Sequence, residues 1–220
     1  MQLTDAIHTR RTVRGFTEQT IEPALLHDIF SVAQRSPSNC NTQPWHAYIV
    51  SGERCRQLAT DLYQHVSSGK APQPDFGFMA SYEGIFRERQ VDCARELYQN
   101  MGIERGDKMG RMTALLENYR FFGAPHVVFL GMPRTYSTVN AVDVGIYAQT
   151  LMLLMTEQGI ASCPQGALAY YPDFVRETLD ISDDIGILLG ISFGYENSDE
   201  PANNTRIDRA PLEQCATFIN

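Results

Sequence analysis

An α/β or α+β architecture, with helices covering a small sheet, is predicted by three features of the sequence. Trp45 to Val50 alternates, with Trp45, Ala47 and Ile49 pointing one way and His46, Tyr48 and Val50 the other, the period of a half-buried strand. Short apolar runs at Val127 to Leu130 and Ile185 to Tyr195 read as further strands. Between them lie segments with apolar residues at helical spacing. At 220 residues the chain corresponds to one domain, or one domain with an insertion. A chain of that length buries about 70% of its unfolded surface, enough for a core without disulfide staples.

In order along the chain, a short N-terminal helix comes first. A second helix over Ile21 to Ala33 follows, with Leu25, Leu26, Ile29 and Phe30 on one face and Pro23 suited to its first turn. After the Trp45 strand, Ser51-Gly52-Glu53 turns into a helix reaching about Gln64. The stretch from Ser67 to Phe78 has linker-like composition, and Ala71-Pro72-Gln73-Pro74 reads as a hinge. Helices are predicted over Tyr82 to Tyr98 and Lys108 to Phe122, broken between Gly102 and Gly106. Asp143 to Gln158 is a helix apolar on most sides, so it must be buried in a core or in a subunit interface. Pro172 to Leu179 is the last helix, and from about Glu196 the chain is a polar tail. A single domain over 1–220, with a lid-like insertion at about 67–115, accommodates all of this.

The net charge of -8 argues against a nucleic-acid or anionic-membrane surface, so an anionic ligand requires positive charge gathered locally. Five cysteines, an odd number with no Cys-x-x-Cys, read as reduced thiols; with no signal-peptide pattern, a soluble cytoplasmic protein is expected. There is no Gly-x-Ser-x-Gly, P-loop, His-Glu-x-x-His or Gly-x-Gly-x-x-Gly, and no histidine has metal-ligand spacing. Hydrolase, kinase, metalloenzyme and ordinary dinucleotide-domain chemistry therefore lack their sequence signals.

Three polar clusters remain. Arg10-Arg11-Thr12-Val13-Arg14 gathers guanidiniums that repel one another unless an anion or carboxylates neutralise them. A solvated basic helix end is the plain alternative to a phosphate clamp. Ser36-Pro37-Ser38-Asn39-Cys40-Asn41-Thr42-Gln43-Pro44 offers amides and hydroxyls that suit either turn chemistry or the polar edge of a heterocycle. Asn203-Asn204-Thr205-Arg206-Ile207-Asp208-Arg209 adds two arginines near the end, either a solvated tail or a second anion contact.

Taken in order, Arg-Arg-Thr-Val-Arg-Gly-Phe, Ser-Pro-Ser-Asn-Cys-Asn-Thr-Gln-Pro-Trp, Cys163-Pro164-Gln165-Gly166-Ala167-Leu168, Gly194-Tyr195 and Arg206-Ile207-Asp208-Arg209-Ala210-Pro211 resemble the flavin-dependent nitroreductase family from about Thr4 to Leu212. The resemblance implies an α+β fold with helices around a small, mostly antiparallel sheet. It further implies a homodimer with exchanged termini and FMN at the subunit interface. Reduction of nitroaromatics, quinones or similar electrophiles by NADPH or NADH is the implied activity. The flavin N5 then carries the hydride, and no side-chain nucleophile is needed.

Residue by residue, the resemblance assigns Arg10 and Arg206 to the FMN phosphate, with Thr12 close by and Arg11 near the phosphate or ribityl chain. Arg14 falls beside the pyrimidine end of the ring system. Pro37, Ser38, Asn39 and Asn41 match the partner-subunit loop bordering the flavin, and Pro164, Gln165 and Gly166 the segment over its far face. Gln165 stands where some members have Glu, and Asn204 where many have Lys or Arg. Many members place a Lys and an Asn before the Val127 strand, and here the candidates are Arg120 and Asn118. For substrate contacts the candidates are Phe76 and Phe78 in the insertion, and Arg120, Phe121 and Phe122 before that strand. Reductive dehalogenation, flavin-consuming chemistry within the same fold, or non-catalytic flavin binding are the competing readings.

Overall fold

The computed structural model describes residues 1–78 and 81–219. Four antiparallel strands form the centre: β1 (His46–Ser51), β2 (His126–Pro133), β3 (Ala161–Gln165) and β4 (Ile185–Gly194), in the order β1-β2-β4-β3. The fold is α+β. Among the described residues seven α-helices accompany them: α1 (Leu3–Thr9), α2 (Pro23–Ala33), α3 (Gly52–Ser67), α4 (Gly84–Asn100), α5 (Lys108–Leu116), α6 (Thr138–Glu157) and α7 (Pro172–Leu179).

The two faces of the sheet carry separate cores, as the alternation in β1 requires. Val50, Val127, Phe129 and Ile187 pack with Leu58 and Leu62 of α3 and Val175 of α7. On the other face Trp45, Val128, Leu130 and Ile191 pack with Ile29 of α2 and Tyr147, Leu151 and Met155 of α6. Trp45 stacks on Tyr147 with ring centroids 4.9 Å apart, and its indole N–H donates to Gln34 Oε1 at 3.0 Å. Each fully buried side chain of this size contributes about 1.5–3 kcal/mol. α6 is long and apolar enough by composition to cross a membrane, but it is the core helix of this second face.

α6 starts five residues before the Asp143 expected from the sequence, because Ser137 N–H donates to Asn140 Oδ1 (3.3 Å) and caps the helix there. The helix expected over Lys108 to Phe122 ends at Leu116. A 3₁₀ segment over Glu117–Gly123 follows, with left-handed backbone at Phe121 (φ 57) and Phe122 (φ 52). The Pro-rich stretch is not a hinge. Gln73 N–H donates to the Tyr170 carbonyl (2.9 Å), and Asp75 pairs with Arg176 at 2.6 Å, both side chains nearly inaccessible. Asp75 also accepts from the Ile187 N–H (2.8 Å), which ties this stretch to β4.

Candidate functional site

The arm after α1 runs beside the edge strand β3. Thr12 bridges Ser162, and Val13 N–H donates to the Ser162 carbonyl at 3.1 Å. That pairing places the arginine cluster against the C-terminal turn at 201–206. The hub is Asn203, 2% exposed. Its Oδ1 accepts from Arg14 N–H (2.6 Å), and its Nδ2 donates to the carbonyls of Gly15 and Asn197, each 2.9 Å. Its own carbonyl accepts from Arg11 Nη1 (3.2 Å) and Arg206 Nη1 (2.6 Å). Gly15 has no room for a side chain, since a Cβ would lie 2.2 Å from Glu200 Cγ.

Four arginines thus converge from sequence positions nearly 200 apart: Arg10, Arg11, Arg206 and Arg209. Arg11 is neutralised by Glu196. Arg10, Arg206 and Arg209 form no salt bridge among the described residues, and burial, then the charge of Arg209, lower the pKa of Arg10, so the site gathers more positive than paired negative charge. An anion placed there would restore the balance, and planar guanidinium forks match phosphate oxygens. Asn203 was missed as the organiser, because the Asn-Asn pair reads in sequence as a solvated turn.

Beside this cluster β3 ends at Gln165, whose amide Nε2 donates to the carbonyl of Asn118 (2.9 Å) and to its Oδ1 (3.3 Å), while its Oε1 accepts from Ser192. The Gln165 side chain is fully engaged by protein groups. The next residue, Gly166, is exposed, and a Cβ built on it would meet no atom within 4 Å. A flat ring can therefore approach the backbone closely here. Adjoining Arg14 is a cavity of about 330 Å³, lined by Tyr98, Met101, Leu115, Asn118 and Phe122 among others.

Of the two residues proposed before β2, Asn118 faces this cavity. Arg120 does not: its guanidinium lies over the Tyr63 ring, 3.9 Å from the centroid. Phe121 is no pocket wall either, being fully buried and packed edge-on against Phe129. Its left-handed backbone turns it into the core. Phe76 also departs from expectation. It packs in the second core, and its ring fills the space above Gly186, four residues along β4 from the Gln165 pairing position at Gly190. Phe78 is 62% exposed against Tyr170. The insertion contributes to the cavity through α4 and α5, not through these two rings.

Pro37, Ser38, Asn39 and Asn41 are not brought to the arginines of their own chain. Their loop is fastened to the N-terminal part of α6, where Asn39 N–H donates to Asp143 Oδ1 at 3.0 Å. The arginine arm meets β3, which follows the other end of that helix, roughly 20 Å away at 1.5 Å per residue. Left-handed backbone at Cys40, Asn41 and Gln43 (φ 50, 55 and 47) strains the loop, and Ser38 Oγ holds it by accepting from Gln43 N–H (2.9 Å). Strain of this kind persists where the surroundings enforce it, often at binding sites.

Comparison with known proteins accords with this geometry. Nitroreductase NfnB of Mycolicibacterium smegmatis is 40% identical over 218 residues, covering 96% of this chain and 90% of its own. A chloronitrobenzene nitroreductase of Comamonas testosteroni is 30% identical over 219 residues, covering 98% and 96%. The crystal structure of the FMN-dependent nitroreductase NfnB from Mycobacterium smegmatis in complex with NADPH superposes with a TM-score of 0.94 at 38% identity, over the full length of both chains. The family model described as Nitroreductase family matches residues 7–195. The chain belongs to the nitroreductase family.

Proposed function

We propose that this protein is an FMN-dependent oxidoreductase that uses NADPH or NADH to reduce nitroaromatics, and also quinones or similar electrophiles. The observation that carries the reading is the arginine cluster organised by Asn203, with unbalanced charge at Arg10 and an open approach at Gly166 beside it. Those features fit a phosphate joined to a flat ring. Arg10, Arg206 and Thr12 would hold the phosphate, with Arg11 shared between it and Glu196. Arg14 would stand at the cavity end of the ring, and Pro164, Gln165 and Gly166 over its face. FMN, when bound, supplies two-electron hydride chemistry.

The residues of the chain then bind, orient and exclude water. Asn118 locks the Gln165 side chain so that the Gly166 backbone is presented without a competing amide. Arg14 places positive charge where negative charge accumulates on reduction, and such preorganised charge raises the reduction potential. Phe122 and the α4–α5 side chains wall the acceptor space.

A second copy completes the site. The exposed face of α6 carries Val139, Val142 and Ile146, and the tail exposes Ile207, Leu212 and Phe218, apolar groups suited to a two-fold interface with exchanged extensions. That pairing would supply Pro37, Ser38, Asn39 and Asn41 from the partner subunit.

The test is Arg206→Ala. Loss of a charged hydrogen bond to phosphate is worth about 1.5–3 kcal/mol, so FMN affinity should fall about 10- to 150-fold. Arg14→Ala should instead lower the flavin potential. Full FMN occupancy of Arg206→Ala through dilution and dialysis would remove Arg206 from the phosphate site.

A further inference from the structure

The loop that carries Pro37, Ser38, Asn39 and Asn41 is hydrogen-bonded to the body of its own subunit at a single point. Asn39, Cys40, Asn41, Thr42 and Gln43 are exposed, so burial does not fix them. The left-handed backbone at Cys40, Asn41 and Gln43 works against their shape. Asn41 N–H donates to the Ser38 carbonyl and Thr42 N–H to that of Asn39, each at 3.0 Å. Gln43 Nε2 donates to the Asn41 carbonyl, also at 3.0 Å, and Gln43 N–H to Ser38 Oγ. Among the described residues these bonds all close within 37–43. The exception is the Asn39 N–H, which crosses to Asp143 Oδ1 on α6.

Asp143 is a costly place for a carboxylate. It is 4% exposed, and its Oδ2 is buried without a hydrogen-bond partner. A buried charge with one oxygen unpaired destabilises the fold where a hydrocarbon of similar volume would not. Its neighbours on the helix divide to either side. Val142 and Ile146 are exposed on the stripe assigned to the two-fold interface, whereas Val144 and Tyr147 lie in the core. The carboxylate thus stands where core, interface and loop meet. We infer that Asp143 is the positioning residue of this loop: through the Asn39 N–H it holds Pro37, Ser38, Asn39 and Asn41 in the strained shape that borders the flavin across the dimer. The inference rests on the two-fold assembly of the proposed function and names the group on which its flavin contact depends. Charge is what suits Asp143 to the task. A hydrogen bond to a carboxylate is about twice as strong as one to a neutral acceptor, and it is set against backbone strain at three residues.

Two variants of the full chain test it. Asp143→Asn keeps the volume and one acceptor for the Asn39 N–H but removes the charge, and Asp143→Ala removes both. FMN affinity, titrated by fluorescence, should fall in the order wild type, Asp143→Asn, Asp143→Ala, by about 10- to 150-fold for the last. Light scattering should give the same dimer mass for all three. The loss should be equal at low and high salt, because a buried carboxylate is little screened, whereas Arg206→Ala should flatten the salt dependence of FMN binding. At saturating FMN, the visible circular dichroism of the bound flavin should change in Asp143→Ala and return largely to the wild-type form in Asp143→Asn. Wild-type affinity and dichroism in a dimeric Asp143→Ala would overturn the assignment. If that variant fails to fold, Asp143→Asn decides, and unchanged affinity there overturns it. Loss of dimer and flavin together would make Asp143 an interface residue and overturn it too. A flavin-loaded monomeric wild type would overturn the two-fold assembly and this inference with it, while FMN kept by Arg206→Ala would remove the phosphate site alone.

Discussion

His126, at the start of β2, is 1% exposed; its Nδ1 lies 2.8 Å from Ser51 Oγ, and its Nε2 accepts from Ile21 N–H at 2.9 Å. Accepting through Nε2 requires a neutral ring with the proton on Nδ1. Burial pushes its pKa down to about 4, from 6.5 in the unfolded chain. Above pH 6.5 the ring is neutral in both states and the contribution is complete. As pH falls from there toward 4, the unfolded chain binds a proton that the folded chain refuses, and stability is lost over that window, roughly 3 kcal/mol in all. Urea unfolding of the wild type and His126→Gln at steps from pH 7 to 4 isolates this group from the carboxylates. The wild-type curve should fall more steeply, and parallel curves would refute the assignment. Asn203 makes the complementary point at this scale. One buried amide organises Arg11, Arg14 and Arg206, yet nothing local in the sequence separates it from Asn204 beside it.

Among the elements, those with strong periodicity were legible. The alternation of β1, the Pro23 start of α2 and the Pro172–Leu179 helix all appear where their residues place them. β3 was not read as a strand because Pro164 interrupts it, and proline is tolerated there only because β3 is an edge strand, a property of the whole sheet. The sequence places Phe121 and Phe122 at the end of a helix, both free to line a pocket; Phe122 lines the cavity and Phe121 does not. Their left-handed backbone depends on the packing of Phe121 against Phe129, which no window of local sequence contains. The site motifs were legible as an ordered set, but the assignment of Asn118 over Arg120 needed Tyr63, which is distant in sequence. Gly131 offers a test of how tightly the strands are matched. It sits at the register shift between β2 and β4, and a Cβ there would lie 2.6 Å from the Gly186 carbonyl oxygen. That oxygen is backbone and cannot swing aside. Gly131→Ala should cost about 1–3 kcal/mol in urea unfolding, and a neutral result would mean that the strands can slide apart.

For the molecule as a whole, the expected assembly is a dimer, and α6 is where that expectation is decided. Val139 and Val142 are 55% and 58% exposed on a helix whose other side is core. Light scattering at micromolar protein should give twice 24.7 kDa. Val142→Glu should shift the population toward monomer and release FMN in parallel, because in the proposed arrangement the loop carrying Pro37, Ser38, Asn39 and Asn41 comes from the partner subunit. A flavin-loaded monomer would contradict both statements. The buried Asp75–Arg176 pair carries a different consequence at this scale. The chain leaves the cores just after that pair, beyond Phe76, and re-enters them at Leu116, Tyr119 and Phe121, while α4 between also rests on the 201–204 turn, where Asn100 Nδ2 donates to Thr205 Oγ1 at 3.4 Å. Doubling the length of a flexible connection between fixed ends costs only about 0.6 kcal/mol. Natural variation can therefore rewrite the side of this segment that walls the cavity at little entropic cost, provided the residues that rest on the 201–204 turn and in the cores are kept.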